Sequence, residues 1–248
     1  MTGSLTVSAV QYQAVDGGVA PNAMEHVRLI EDADSHGARL VVFPELSLSG
    51  YNLASLADPH CWIEAQDPRL DSIREICRRT GITAVVGCAY REPDGTPRLA
   101  SVAIHPDGRT ELAFKMHLHG KEAELFTAGE AVALTDVDGW NIALAICFDA
   151  AFPAHSTAAA GAGAEVYAVS ALYLRGEEHR AALHLGSRAM DNRMFSILAN
   201  LGGETGPGPS CGQSGLWGPD GHPLKQSDGT GTDVITAVLE RSALQEFR

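Results

Sequence analysis

The sequence predicts an α/β fold built on a mixed β-sheet with buried central strands and helices covering one side. Short β-branched runs recur along the 248 residues, amphipathic segments of helical spacing separate several of them, and Asp-Gly pairs join others directly. In chain order, 5–9 and 39–43 read as strands flanking a helix over 21–36. Leu70, Ile73, Ile76 and Cys77, with Gly81 as a stop, mark a helix over 67–80. Strands follow at 82–89 and 100–104, then at 142–147, 166–170 and 195–200, with a further helix over 177–193. Asp94-Gly95, Asp107-Gly108, Asp138-Gly139 and Asp220-Gly221 each predict a tight turn with positive φ. The Ala/Gly-rich stretch 158–164 ends a helix packed closely on a sheet, and the glycine- and proline-rich stretch 202–215 reads as a surface or site-rim loop. With no internal repeat and no linker, residues 1–248 are expected to form one domain.

Composition narrows the function. Apolar residues make up 45% of the chain and charged residues 20%, with a mean hydropathy of -0.04; these are the proportions of a globular protein with a sizeable core. Eighteen Lys+Arg against 31 Asp+Glu leave a net charge of -13, a field that repels phosphate backbones and anionic headgroups. Neither nucleic acid nor a membrane is therefore expected as a partner. No basic flank precedes the short apolar run near the N-terminus, and no window approaches the ~18–20 apolar residues of a spanning helix. These features predict a cytoplasmic protein. The five cysteines are odd in number and lack C-x-x-C pairing, which argues against a disulfide framework and a structural zinc site.

Three strands end in a reactive side chain: Val41-Val42-Phe43-Pro44-Glu45, Leu112-Ala113-Phe114-Lys115 and Ala143-Leu144-Ala145-Ile146-Cys147. Ligand sites in α/β sheets gather at strand ends. Alone, each has a plainer reading: the thiol as a core hydrophobe, the carboxylate as a loop residue or cap, the lysine as a surface residue.

Their surroundings change the reading. Residues 43–51 (FPELSLSGY), 114–118 (FKMHL) and 146–153 (ICFDAAFP) resemble, in order and separation, the Glu, Lys and Cys segments of the nitrilase superfamily, the carbon-nitrogen hydrolases. Arg188-Ala189-Met190-Asp191-Asn192, Asn200 with Gly202, Gly212-Gln213-Ser214 and Pro219-Asp220-Gly221 extend the resemblance over nearly the whole chain. It implies a four-layer α-β-β-α sandwich of two mixed sheets, homodimerisation by helix packing across a two-fold axis, and no metal or organic cofactor. It also implies a small-molecule amide as substrate, hydrolysed through a thioester on Cys147 with release of ammonia or an amine. Glu45 would act as general base, and Lys115 with a backbone N–H near Phe148 would meet the developing oxyanion. In the segment 120–129, Glu122 falls at the family's second glutamate, with Glu124 as the competing assignment. Tyr51, Phe148 and Tyr173 are candidates for the acyl pocket; Arg175, Glu177 and Glu178 follow Tyr173 without a ranking.

Phe148-Asp149 after the cysteine is similar to the amidase branches rather than to true nitrilases. Where many amidase members carry an Arg before the Phe-Pro pair and an acid after it, this chain has Ala151 and Ala154. A substrate carboxylate is therefore not expected to be gripped at that point, which weighs against ω-amidase and N-carbamoyl amino acid hydrolysis. Other readings stay open: a nitrilase or N-carbamoyl hydrolase on the same site, an ammonia-supplying module for a separate synthetase, and a catalytically silent scaffold. A metal hydrolase would start from His117-Leu118-His119, but no second ligand cluster follows, and His179 and His184 are spaced i, i+5.

Overall fold

The computed structural model describes residues 3–246. Its elements, in chain order, are β1 (Ser4–Gln11), α1 (Val19–Ser35), β2 (Leu40–Val42), β3 (Trp62–Ile63), α2 (Asp71–Thr80), β4 (Thr83–Arg91), β5 (Pro97–Ile104), β6 (Thr110–Phe114), β7 (Ala133–Val137) and β8 (Trp140–Ile146). There follow α3 (Pro153–Gly161), β9 (Val166–Ala171), α4 (Glu178–Asn192), β10 (Phe195–Asn200), β11 (Glu204–Thr205), β12 (Gly208–Pro209), β13 (Gly215–Trp217), β14 (Pro223–Gln226), β15 (Asp233–Glu240) and α5 (Arg241–Glu246).

Two mixed sheets face each other. One has the order β15-β1-β2-β4-β5-β6 with β3 on β4, the other β14-β13-β10-β9-β8-β7. Each central strand is buried on both faces, so its alternate residues enter different cores. In β2, Val41 packs with Ile30 of α1 and Ile76 of α2, while Leu40 and Val42 join Ile142, Ala168 and Ile197 between the sheets. In β9, Val166 and Ala168 face the other sheet, and Tyr167 and Val169 pack with Ala159 of α3 and Leu185 of α4. This is the four-layer α-β-β-α arrangement. It corrects the expectation from residue patterns of helices on one side only, because a run buried on both faces does not say which face meets a helix and which a second sheet.

Local chemistry explains most element boundaries. Gly95, Gly108, Gly139 and Gly221 all have positive φ, as the Asp-Gly pairs predict. The predicted helix over 67–80 begins instead with a 3-10 turn at Pro68–Leu70, whose first amides are capped by the Asp67 carboxylate accepting from Arg69 N at 3.0 Å. Strand β15, absent from the sequence reading, runs antiparallel to β1 along its whole length. Among the described residues no helix is long and apolar enough to cross a membrane.

Gly87, in the middle of β4, ties the fold to the residues that follow β2. A Cβ there would lie 2.1 Å from Pro44 O and 2.6 Å from Leu46 N, because the turn carrying Glu45 crosses directly over the strand. Gly87→Ala is expected to cost about 1–3 kcal/mol of unfolding free energy in urea titration, the usual penalty for overpacking. An unchanged midpoint would show that the turn can lift off the strand without cost.

Candidate active site

Glu45 lies three residues beyond β2, Lys115 directly after β6, and Cys147 directly after β8. The first two leave one sheet and the third leaves the other, so face-to-face packing of the sheets brings them together. The Glu45 turn is braced from below. Ser47 Oγ accepts from Gly87 N at 3.1 Å and pairs with His26 Nε2 at 2.9 Å, and the His26 ring stacks on Phe43 at 4.0 Å. Burial holds His26 down at about 3, so it serves this brace as a neutral ring.

Lys115 is fully buried. Its Nζ donates to Glu45 Oε1 at 2.6 Å and to Glu122 Oε1 at 2.7 Å. Glu122, also buried, accepts from Tyr51 Oη at 2.6 Å and from the His119 N–H at 2.7 Å. Glu122 is therefore the member of the 120–129 pair that joins the cluster, whereas Glu124 is exposed. Among the described residues Glu45 Oε2 has no hydrogen-bond partner.

Cys147 is half-buried and holds a left-handed backbone, φ 49, a costly conformation for a residue with a Cβ. It begins the 3-10 turn Cys147–Ala151, whose first amides, Phe148 N–H among them, have no partner within the turn. The thiol points toward Leu172 O at 3.6 Å. It borders a cavity of about 60 Å³ shared with Phe148, Leu172, Tyr173, His119, Ala151, Glu177, Arg180 and His184. The Tyr173 hydroxyl pairs with His184 Nδ1 at 2.9 Å. Burial, then Arg180 and Arg188, push His184 down to about 4. Tyr51, which reaches Glu122, lines a larger open depression of about 640 Å³ that Cys147, Glu45 and Lys115 do not line.

Two residues that the sequence reading did not assign to the site hold it in place. Asp149, buried, accepts from Met116 N at 3.2 Å, His117 N at 2.8 Å and Ile146 N at 3.1 Å, and pairs with His117 Nδ1 at 2.8 Å. One carboxylate thus staples the Lys115 strand end to the Cys147 strand end. An acid two residues after the cysteine in an apolar stretch was the available signal. Asn200 fixes the opposite wall, accepting from Tyr173 N at 2.8 Å and donating to Gly212 O at 2.7 Å. His117 and His119 diverge, the first onto Asp149 and Phe152, the second beside Phe148.

Electrostatics follow from burial. Desolvation pushes the Glu45 carboxyl up to about 7, against the pull of Lys115 and with the Glu122 charge adding to the rise. For Lys115 burial opposes the charge, but Glu45, Cys147 and Glu122 outweigh it and hold the ammonium above the ordinary lysine range. Burial and the Glu45 charge push the Cys147 thiol far above its usual value, with Lys115 pulling the other way.

A thiol, an ammonium and two carboxylates thus converge at strand ends of an α-β-β-α sandwich. Residues 6–248 match the carbon-nitrogen hydrolase family, and the chain belongs to it. It is 32% identical to the "hydrolase in pqqF 5′ region" of Pseudomonas protegens, over 85% of this chain and 75% of that one. It is 28% identical to a nitrilase of Pyrococcus abyssi, over 86% and 81%. The amidase of Nesterenkonia sp. AN1, solved as a cysteine-to-alanine variant in complex with butyramide, superposes with a TM-score of 0.86 at 26% identity, covering 99% of this chain and 95% of that one.

The raised Glu45 carboxyl has a consequence for stability. Between its ordinary value of 4.5 and about 7 the folded chain binds a proton that the unfolded chain does not, so this group's contribution to stability falls as pH rises through that window. The unfolding free energy of the wild type relative to Glu45→Gln is expected to drop by roughly 1–3 kcal/mol between those limits and to stay level above them. A difference that is flat or rises with pH there would mean that Lys115 keeps Glu45 ionised throughout.

Proposed function

We propose that the chain hydrolyses the C–N bond of a small linear amide through a thioester on Cys147. The observation that carries this reading is the position of Cys147: strained backbone, a thiol on a small cavity, and a buried cluster of Glu45, Lys115 and Glu122 behind it. The resting thiol is protonated and needs a base. Glu45 Oε2, with its free lone pairs, takes the proton as Sγ attacks the amide carbon. Lys115 Nζ has three donors, two of them occupied by carboxylates. The third, with Phe148 N–H, receives the developing oxyanion. As the tetrahedral adduct collapses, the C–N bond breaks and the nitrogen takes the proton from Glu45, leaving as ammonia or amine. Water then attacks the thioester, giving its proton to Glu45, and its collapse returns the proton to sulfur and releases the acid. Glu122 orients the ammonium and is itself held by Tyr51.

The size of the cavity supports a small acyl group. At about 60 Å³ it has room for roughly four atoms of water size. The butyramide complex of the Nesterenkonia amidase supports an amide, and the Pyrococcus relative named nitrilase keeps nitriles in the test. Since Glu45 must be ionised to act, kcat/KM is expected to rise with pH through about 7.

The test is ammonia release from a panel of short amides, nitriles and N-carbamoyl compounds, wild type beside Cys147→Ala, with intact-mass detection of the trapped acyl-enzyme. The expected result is turnover of an amide with an acyl adduct on Cys147, and loss of at least about 10³-fold in the variant, comparable to removal of a nucleophile elsewhere. Turnover that survives in Cys147→Ala would overturn the mechanism, and turnover confined to nitriles or N-carbamoyl compounds would overturn the substrate class.

A further inference from the structure

A buried titratable side chain outside the cluster takes no part in the proposed chemistry. His26, in α1, has no solvent exposure. Its Nδ1 lies 2.7 Å from Asn22 O. A carbonyl can only accept, so Nδ1 carries the ring hydrogen, and a ring that burial keeps neutral then has a bare lone pair at Nε2. Ser47 Oγ, 2.9 Å away, therefore donates to Nε2. Asn22 is itself fixed on both sides: its Oδ1 accepts from Tyr12 Oη at 2.5 Å, and its Nδ2 donates to Val15 O and Gly18 O at 2.8 Å each. Ser47 also meets the sheet. The last pair between β2 and β4 is Val42 with Val85, and beyond it the Glu45 turn takes the place of the strand. There Gly87 N donates to Ser47 Oγ at 3.1 Å, and Gly87 O accepts from Leu48 N at 3.0 Å. The turn needs such ties, because Leu46, next to Glu45, holds a left-handed backbone with φ 51, a costly state for a bulky residue.

From this geometry we infer that His26 is a positioning residue for the reaction: its Nε2 orients the Ser47 hydroxyl, Ser47 pins the Glu45 turn to β4, and the pinned turn holds the Glu45 carboxylate against Lys115 and Cys147. The inference rests on the hydrolase reading above and adds to it a residue that touches neither substrate nor thiol. A hydrocarbon at position 26 would fill the space between Tyr12 and Phe43, where the imidazole now packs ring against ring. It would leave the Ser47 proton with Gly87 O as its nearest acceptor, at 3.5 Å and already bonded to Leu48 N. A buried hydroxyl left so poorly paired gives up its place, and the turn loosens with it. Water then reaches Glu45, and the desolvation that raises its carboxyl weakens. Lys115 from the end of β6, Glu122 from the turn that follows, and Cys147 from the end of β8 face Glu45, and none of them is held by His26 or Ser47.

Three variants test it. His26→Phe keeps a stacked ring and removes the acceptor, Ser47→Ala removes the hydroxyl, and His26→Gln returns an acceptor oxygen at the depth of Nε2. With the amide that the panel identifies, His26→Phe and Ser47→Ala are each expected to lower kcat, per folded molecule, by about ten- to a hundredfold with little change in KM, the cost of a displaced base. The rising limb of kcat/KM is expected to move toward lower pH by about one pH unit in both. The double variant should lose no more than the worse single, since both remove one tie, and His26→Gln should recover most of the rate. An unchanged kcat and limb in the two single variants, losses that multiply in the double, or equal losses in His26→Gln and His26→Phe overturn the inference and leave amide hydrolysis standing. Should His26→Phe fail to fold, Ser47→Ala, smaller by one atom, carries the comparison. If no amide is turned over, the hydrolase reading fails separately, and alkylation of Cys147 by iodoacetamide, which needs the same base, decides. A limb at lower pH in Ser47→Ala than in the wild type supports the positioning role, and coincident limbs overturn it.

Discussion

Everything at the site depends on an ammonium kept out of water. Taking Lys115 from solvent costs several kcal/mol even after relaxation, and it is fully buried. Two carboxylates at 2.6 and 2.7 Å offset that cost, but the second brings a charge in excess of what one ammonium neutralises. The excess appears on Glu45, the carboxyl that burial and Glu122 push upward. A group poised near neutrality beside a thiol that burial keeps protonated is the condition for proton transfer between them. The same desolvation that makes the cluster expensive thus makes Glu45 usable as a base in the proposed reaction.

Holding such a cluster requires a frame that does not relax, and the two-sheet sandwich supplies it. Glu45 and Lys115 come from one sheet and Cys147 from the other, so their mutual distances are set by the apolar layer between the sheets rather than by any one loop. Two devices fix the strand ends: Gly87 lets the Glu45 turn lie directly on β4, and Asp149 ties the amides after Lys115 to the amide before Cys147. Asn200 does the same for the wall formed by Tyr173. The strained backbone at Cys147 is held by these contacts around it.

Much of this was legible in the residues. Runs such as 166–170 and 195–200 are buried on both faces and read as strands without help, and the Asp-Gly turns predicted the glycines of positive φ. Strand β15 escaped because it lies at a sheet edge, with exposed residues mixed among buried ones. The second sheet was not legible from periodicity at all; only the resemblance of three short segments to a known family implied it. At the site, Glu45, Lys115 and Cys147 end apolar strands but had plainer readings one by one; only the resemblance of their segments to a known family singled them out, and Glu122 with them. Tyr51 was read as an acyl-pocket candidate from its place after the Glu45 turn, and its hydroxyl donates to Glu122. That Arg180 lines the cavity left no signal, since a charged residue on a helix face looks the same in sequence whether it borders solvent or a cavity.

The geometry can be read most directly from a crystal structure of Cys147→Ala with a short amide bound. The amide carbonyl oxygen should lie within hydrogen-bonding distance of both Lys115 Nζ and Phe148 N, with its carbon facing the vacated thiol position and its acyl end toward Tyr173. An amide bound in the open depression beside Tyr51, or one whose oxygen contacts neither donor, would contradict the assignment of the cluster.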